Sequence, residues 1–320
     1  MKNILVTGAS GIIGYGILRS LQRSGKELWL IGTTIYDDSA AQGFCDIFEK
    51  AIPTNDEGYI DWLLRIIEKH KIDLIIPGIE ADMYKWVDNI SEIEKSGVKV
   101  VLNNRELIYL CRDKWTFYQK LKEDHASCVI ETSLTPEFDV LASEFGLPFL
   151  LKPRCGHGSK GIVQINNKAD FLKHQNDIGT ALMAQPIVGN KDEEFTTSAF
   201  CDGHGGYYAC MTLKRKLSKQ GFTENAEVVE PTDIPGLIGS LCESFKPIGP
   251  TNFQFRRHEG ALKLLEVNPR ISSATSIRTA FGYNESMMAV EYYLENKKPT
   301  QPLIKKGKAV RYFEDLITYE

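Results

Sequence analysis

Short apolar runs alternate with amphipathic segments over the first hundred residues. The runs that have the length of buried strands are residues 3–7, 27–31, 73–77 and 98–102. Helical spacing of apolar side chains predicts three helices between them: one with Ile13, Ile17, Leu18 and Leu21 on one face, one with Ile60, Leu63, Leu64 and Ile67, and one over 83–95. Strands that alternate with helices predict a parallel sheet covered on both faces. We therefore predict an α/β domain over residues 1–110.

The pattern changes after residue 110. A helix is predicted over 113–123, followed by strands over 148–152 and 161–165 with a glycine-rich loop between them. Several strand-like runs follow between 181 and 267, interrupted by a helix near 235–245, and a last helix covers about 284–296. Strands and helices that no longer alternate predict an α+β fold for the rest of the chain.

Composition and charge exclude several classes of protein. Of the 320 residues, 42% are hydrophobic and 25% charged, and the net charge is -4, so the chain is neither disordered nor strongly basic. Because the chain is not strongly basic, we expect no nucleic-acid partner. We also expect no membrane partner, because no apolar run has the length of a transmembrane helix and no signal peptide precedes the first strand. The seven cysteines form no C-x-x-C pair, which argues against a zinc ribbon and fits a reducing compartment. The expected location is the cytoplasm.

Three glycines follow the first predicted strand and open the first helix. The spacing of Gly8, Gly11 and Gly14 is typical of a turn that binds nucleotide phosphates, although such glycines also let a helix pack closely on a strand. A nicotinamide enzyme would place an acidic residue at the end of the second strand, but Asp37 arrives only after Thr34. An NAD(P)-dependent reductase that uses the turn from Gly8 to Gly14 therefore remains an alternative interpretation.

The loop after the strand at 148–152 carries a second phosphate-binding pattern. Lys152 ends the strand, and three glycines follow at Gly156, Gly158 and Gly161. Glycines expose backbone N–H groups, and a lysine supplies a point charge, so together they suit a polyphosphate. The alternative is a surface hairpin with a solvated lysine.

A polar pattern between 250 and 270 predicts a metal site. Two alternating strands, 251–256 and 261–268, flank a predicted three-residue hairpin loop at 258–260. An odd loop length places Gln254, Glu266 and Asn268 on one face of this hairpin. A carboxylate with two amide oxygens suits Mg²⁺ that is held jointly with phosphates, and Arg270 would project a cation beside it. The alternative is a structural polar ladder.

Two further segments fit the same cleft. Gln185, Pro186 and Ile187 follow a predicted strand and could offer an adenine a polar edge and an apolar face. Glu194 begins the next strand, where its carboxylate could accept hydrogen bonds from ribose hydroxyls. Either segment could also be ordinary surface.

These residues together resemble the ATP-grasp superfamily, and in particular a single synthetase unit of the carbamoyl phosphate synthase large subunit. The resemblance covers nearly the whole chain. It implies a pre-ATP-grasp Rossmann-like domain at 1–110, linker helices and a lid subdomain at 111–188, and an ATP-grasp C-terminal subdomain with the metal site at 189–320. A pre-ATP-grasp domain does not bind NAD, which accounts for the glycine turn without its acidic partner.

The resemblance also implies roles for particular residues. Those expected to contact ATP are Lys114, Lys152, Gly156, Gly158, Ser159, Gly161, Gln185, Pro186, Ile187 and Glu194. Gln254, Glu266 and Asn268 would hold two Mg²⁺ ions, with Mn²⁺ as the alternative ion, and the first of them is a glutamine as in carbamoyl phosphate synthases. Arg215 resembles part of a basic strand that lines the acyl-phosphate site.

The implied activity is an ATP- and Mg²⁺-dependent ligation of a carboxylate to an amine or ammonia. An acyl phosphate would form first, with release of ADP, and the amine would then displace phosphate. The charges of Lys152, Arg215 and Arg270 would serve catalysis together with the metal. A non-catalytic ATP-binding subunit is a further alternative, and a homodimer is left open. The substrates are not readable, and Glu80 and Asp82 either face the second substrate or cap the next helix.

Overall fold

The strands of the described residues form three sheets. The computed structural model describes residues 1–156, 160–218 and 220–317. None of the helices in this part of the chain combines the length and the apolar character that are needed to span a bilayer.

The first sheet has five parallel strands. They are β1 (Lys2–Val6), β2 (Leu28–Thr34), β3 (Ile47–Lys50), β4 (Leu74–Ile76) and β5 (Lys99–Val100), in the order β3-β2-β1-β4-β5. The helices of this region are α1 (Ile12–Gln22), α2 (Tyr59–His70), α3 (Glu80–Asp88), α4 (Ile90–Glu94) and α5 (Arg105–Arg112). The sequence did not predict β3 or α5, and the single helix predicted for 83–95 is two helices that meet at Asn89.

Both faces of the parallel sheet are covered. On one face, Ile4 and Val6 pack in a cluster with Ile17 and Leu21 of α1. On the other, Leu5 packs in a second cluster with apolar residues of α2. The successive side chains Ile4, Leu5 and Val6 of β1 are all buried, which explains why this part of the strand is a continuous apolar run.

The second sheet is small and antiparallel. Its strands are β6 (Phe149–Pro153), β7 (Val163–Ile165) and β8 (Leu182–Pro186), in the order β7-β6-β8. Helices α6 (Lys114–Asp124), α7 (Phe138–Phe145) and α8 (Lys168–Leu172) lie in the same stretch of chain. Leu141 of α7 and Phe171 of α8 bury the apolar face of β6.

The third sheet has six antiparallel strands. They are β9 (Glu194–Asp202), β10 (Tyr207–Leu217), β11 (Thr223–Val229), β12 (Ile248–His258), β13 (Ala261–Asn268) and β14 (Lys308–Val310), in the order β13-β12-β9-β10-β11-β14. The remaining helices are α9 (Ile234–Phe245), α10 (Thr275–Ala280) and α11 (Glu285–Glu295), and short 3₁₀ helices cover Ala40–Phe44, Ala126–Cys128, Gln175–Asp177 and Lys191–Glu193. Helix α9 packs on Phe253 and Phe255 of β12, whereas Val290 of α11 joins the core of the parallel sheet.

The hairpin of β12 and β13 differs from the prediction in two ways that cancel. The loop has two residues instead of three, because His258 pairs with Ala261 and only Glu259 and Gly260 lie between them, with φ of 49° and 81°. Positive φ at both positions is what a type I′ turn requires. A bulge at Leu265 then shifts the register by one residue, so that Gln254 pairs with Glu266. The predicted face is therefore formed, although the predicted loop is wrong.

Candidate functional site

A cleft lies between the small sheet and the six-stranded sheet. Its walls come from α6, β6, β8, β9 and the β12–β13 hairpin. Among the described residues, four cationic side chains and two carboxylates line it: Lys114, Lys152, Lys160, Arg256, Glu194 and Glu266. The excess of positive charge favours an anionic ligand.

Lys114 is positioned by the N-terminus of α6. Asp113 caps this helix by accepting a hydrogen bond from the backbone N–H of Trp115 at 2.9 Å. The same carboxylate pairs with Arg154 at 2.5 Å, which ties the start of α6 to the end of β6. The Nζ of Lys114 donates to the backbone carbonyl of Gly156 at 2.7 Å, so the predicted lysine and the first glycine of the loop are in contact.

Lys152 enters the cleft from the strand β6, as predicted. Burial first, and then the positive charges of Arg256 and Lys114, lower the pKa of its ammonium to about 8 against the opposing effect of Glu266. A phosphate anion would relieve the repulsion among these cations.

One face of α6 supplies apolar walls that sequence reasoning missed. Lys114, Phe117, Tyr118 and Leu121 all line the cleft. Their spacing of three, four and seven residues is that of one helix face, so the position of Lys114 could have identified the other three. From the opposite strands, Met183 and Leu264 add further apolar surface.

Glu194 lines the cleft but is already engaged by two arginines. Its Oε1 accepts hydrogen bonds from Nε and Nη2 of Arg215 at 3.1 and 2.9 Å, and its Oε2 accepts from Nη2 of Arg256 at 2.6 Å. Arg215 also donates to Thr223 at 3.3 Å and to the Oε1 of Gln254 at 2.7 Å. Arg215 was expected to act directly on substrate, but it is 5% exposed and does not line the cleft, because these acceptors hold it within the sheet.

The residues predicted to hold a metal lie close together on the β12–β13 hairpin. Gln254 and Glu266 pair across β12 and β13 and both line the cleft, while Asn268 lies two residues further along and is buried. No cluster of three or more His, Cys, Asp or Glu side chains that could hold a metal occurs in the part of the chain that the structure describes. One carboxylate with neighbouring amide oxygens fits Mg²⁺ when phosphate oxygens complete its coordination, so the donor set suits a shared ion.

Arg270 connects this face to the parallel sheet. Its Nε and Nη2 donate to Glu80 in the first turn of α3, the former at 3.2 Å, and Nη2 also donates to the Oδ1 of Asn268 at 3.1 Å. Arg270 therefore lies beside the predicted metal face but does not line the cleft. The other candidate in this turn, Asp82, is buried and accepts a hydrogen bond from Thr54 at 2.6 Å, and burial raises its pKa.

The segment predicted to receive a base contributes another wall of the cleft, at the end of β8. Gln185 and Pro186 line the cleft, and the Nε2 of Gln185 donates to Thr132 at 2.7 Å. Ile187 was predicted to give an apolar face, but its side chain is 38% exposed and does not line the cleft. Val188 takes that place in the cleft.

The glycine loop is described only in part. Gly156 lines the cleft with φ of 124°, and Gly161 has φ of 75° and packs on Pro153. The predicted residues Gly158 and Ser159 lie outside the described residues.

The glycine turn of the first domain is explained by close packing. A Cβ at Gly14 would lie 2.2 Å from the carbonyl oxygen of Gly8, so only glycine fits there. At the end of β2, Thr34 shares a 2.8 Å hydrogen bond with Ser10, and the nearest acid along the chain, Asp37, pairs with Lys50 on the surface. The structure thus places no carboxylate from the end of β2 against the turn.

A buried ion pair supports the strands beneath the site. Arg278 and Glu285 are both fully buried and their charged atoms are 3.3 Å apart. Arg278 also donates to Asn252 at 2.9 Å and to Thr196 at 3.0 Å, which are neighbours of Gln254 on β12 and β9. This network fixes the two strands that carry the polar face.

Part of the chain matches a known protein family, and most of it is similar to known proteins. Residues 181–316 match a family model described as ATP-grasp in the biosynthetic pathway with Ter operon. The chain is 25% identical over 250 residues to the carbamoyl phosphate synthase large chain of Pseudothermotoga lettingae. The aligned region covers 69% of this chain and 22% of that relative. The chain is also 29% identical over 268 residues to the formate-dependent phosphoribosylglycinamide formyltransferase of Prochlorococcus marinus subsp. pastoris. The aligned region covers 74% of this chain and 65% of that relative.

The likeness of fold extends over almost all of the chain. N5-carboxyaminoimidazole synthetase from Staphylococcus aureus, solved in complex with ADP, superposes with a TM-score of 0.73 at 18% identity and covers 95% of this chain and 80% of that one. The curated relatives are longer proteins, of which this chain spans between a fifth and two thirds.

Proposed function

This chain contains an ATP-grasp domain, and from that premise we propose that it is an ATP- and Mg²⁺-dependent ligase. It joins a small carboxylate to an amine or ammonia through an acyl phosphate and releases ADP and phosphate. The observation that carries the proposal is a single cleft in which Lys114, Lys152 and Glu266 meet. The curated relatives that support the proposal include a carbamoyl phosphate synthase large chain, a formate-dependent phosphoribosylglycinamide formyltransferase and a phosphoribosylamine–glycine ligase.

The base and the polyphosphate of the nucleotide bind at different ends of the cleft. The base lies at the end with Gln185 and Val188, and the polyphosphate extends past Lys152 towards Gln254 and Glu266. Lys114 and Lys152 neutralise phosphate oxygens, and the apolar side chains of α6 exclude water from the base. Residues 1–110 form the pre-ATP-grasp domain, 111–188 the linker and lid subdomain, and 189–320 the subdomain with the metal face.

Glu266, Gln254 and Asn268 would hold the metal, as two Mg²⁺ ions or as Mn²⁺. The metal supplies charge neutralisation to the transferred phosphoryl group. Arg270 lies beside Asn268 and stabilises negative charge at this end, while Arg215 positions Glu194 and Gln254 from within the sheet. Glu80, which holds Arg270, sets the orientation of that guanidinium.

The amine or ammonia and the carboxylate are the partners of this reaction, which we place in the cytoplasm. All seven cysteines are free thiols, including Cys201 and Cys242 with sulfur atoms 3.7 Å apart, which supports a reducing compartment.

ADP release across pools of carboxylic acids and amino acids, with ammonia present, tests the activity. A productive pair should release ADP and phosphate in equal amounts. With the carboxylate labelled with ¹⁸O, one labelled oxygen must appear in the released phosphate, because the carboxylate oxygen attacks the γ-phosphorus. Unlabelled phosphate, or AMP in place of ADP, would contradict the mechanism.

Assays on the same protein preparation distinguish the proposed ligase from two other functions. A non-catalytic subunit would bind ATP without release of ADP by any pool. A reductase would be stabilised thermally by NADH or NADPH and not by MgATP, and the comparisons do not support that alternative.

A further inference from the structure

Arg256 is a cleft residue for which the sequence patterns indicated no role. It lies two residues after Gln254 on β12 and on the same face of the strand. Its Nη2 donates to the Oε2 of Glu194 at 2.6 Å, and its Nη1 donates to the backbone carbonyl of Val188 at 3.2 Å. Its Nε is buried and has no hydrogen-bond partner among the described residues. The guanidinium therefore has a donor that none of the described residues satisfies.

The position of Arg256 is between the two ends of the cleft. A step of two residues along a strand covers about 6.6 Å, which separates Arg256 from the predicted metal face at Gln254. Its hydrogen bond to Val188 places it next to the segment that is proposed to receive the base. The stem of the side chain is fixed by Gly189, where an added Cβ would lie 2.9 Å from the Cγ of Arg256. Arg256 thus faces the middle of a nucleotide that spans the cleft.

The charges around Arg256 favour an anion at this point. Arg256 and Lys152 face the same cleft, and their repulsion is the second cause, after burial, of the lowered pKa of Lys152. Glu194 would not be left unpaired if Arg256 moved, because its other oxygen is held by Arg215 at 2.9 Å. The arrangement can therefore exchange the contact between Arg256 and Glu194 for a contact between Arg256 and a phosphate.

We propose that Arg256 binds the inner phosphates of a nucleoside di- or triphosphate, and that this movement frees the Oε2 of Glu194 for the ribose hydroxyls. The proposal rests on the nucleotide-binding part of the proposed function and adds to it an exchange of partners. It makes Arg256 a determinant of selectivity for phosphorylated nucleotides over the nucleoside.

Calorimetric titration with adenosine, AMP and ADP, in EDTA and without Mg²⁺, tests the role of Arg256 apart from catalysis and from the metal. Arg256→Met should weaken the binding of ADP by about ten- to a hundredfold, as expected for the loss of a charge-assisted hydrogen bond. Adenosine should bind as well as to the wild type or better, because Glu194 is then free. Arg257→Met is the matched control, since Arg257 pairs with Asp233 at 2.9 Å outside the cleft.

Two outcomes would overturn the proposal. Unchanged binding of ADP by Arg256→Met would show that the guanidinium does not contact phosphate. An equal loss of adenosine and ADP would show that Arg256 serves only to hold Glu194. A wild-type protein that binds neither ADP nor ATP would instead overturn the proposed function itself, and this proposal with it.

Arg256→Lys keeps the test decisive if the methionine variant does not fold, which thermal unfolding of each variant will reveal. Lysine retains the charge but cannot contact Glu194, Val188 and a phosphate with one planar group. We expect a smaller loss for ADP, of about three- to tenfold, and no loss for adenosine. A lysine variant that loses adenosine as strongly as ADP would again assign Arg256 to Glu194 alone.

Discussion

Replacing Lys152 by methionine should make the ligand-free protein more stable and its nucleotide binding weaker. Burial first, and then repulsion from Arg256, lowers the pKa of Lys152 to about 8 from its ordinary value of 10.5. One pKa unit corresponds to about 1.4 kcal/mol, so keeping this cation in the cleft at neutral pH costs up to about 3 kcal/mol, and less when solvent screening of the partly exposed side chain is included. Methionine has a similar length and no charge to desolvate.

The cost of burying the Lys152 charge makes the free energy of unfolding depend on pH. Between pH values near 8 and 10.5, the unfolded chain keeps the proton of Lys152 while the folded protein has released it, so the free energy of unfolding rises with pH across this window. Below the folded pKa, the folded protein carries the full cost of the buried charge. Lys152→Met should remove this part of the pH dependence.

Urea unfolding followed by tryptophan fluorescence, at about pH 7 and about pH 9.5, measures both effects. We expect Lys152→Met to be more stable than the wild type by about 1–3 kcal/mol at the lower pH, with a smaller gain at the higher pH. Lys95→Met, at the exposed end of α4, is the control and should change stability by less than about 0.5 kcal/mol. A methionine variant of Lys152 that is less stable at neutral pH would refute the reasoning.

Three further substitutions test other parts of the molecule. Glu266→Gln removes the carboxylate of the proposed metal face and should lower ADP release by about two to four decades with an unchanged melting temperature; near-normal turnover would place the metal elsewhere. Gly14→Ala should destabilise the protein by about 3 kcal/mol or more, because its Cβ would lie 2.2 Å from a backbone oxygen, whereas Gly236→Ala in an open position of α9 should stabilise it by up to about 1 kcal/mol. Equal effects of the two glycine variants in urea unfolding would contradict the packing argument. Arg278→Met should cost about 3–5 kcal/mol by leaving Glu285 buried without its partner, and adding Glu285→Leu should recover much of that loss; no recovery in the double variant would argue against the ion pair.

Local patterns predicted most of the secondary structure. The buried strands β1, β2 and β4 are short apolar runs with helices between them, and the structure has a strand at each of these runs. The strand β3 was missed because Ile47–Lys50 has neither a continuous apolar run nor a strict alternation, and its side chains are only half-buried at the edge of the sheet. The helix α5 was missed because only one residue, Asp113, separates its end from the start of α6.

The family resemblance is confirmed by the match over residues 181–316, and the residues quoted for it largely surround one cleft. What the sequence could not predict are the partners within that cleft. Glu194 binds arginines that lie 21 and 62 positions away along the chain, and only the pairing of β9 with β10 and β12 brings them together. The period of two along β12 could have identified Arg256 from Gln254, but not the carboxylate that it binds.

The bulge at Leu265 has a consequence for how this protein can tolerate insertions and deletions. Leu264 pairs with Phe255 and Glu266 pairs with Gln254, so Leu265 is the extra residue that lies between two paired positions. Deleting Leu265 would leave Glu266 opposite Gln254 and on the same face of the hairpin, because Glu266 would then directly follow Leu264. Drawing Leu265 into regular pairing without a deletion would instead place it opposite Gln254 and turn Glu266 to the side that packs under α9. An alignment that counts residues from the turn without allowing for the bulge will therefore assign the proposed metal-binding glutamate to the wrong column.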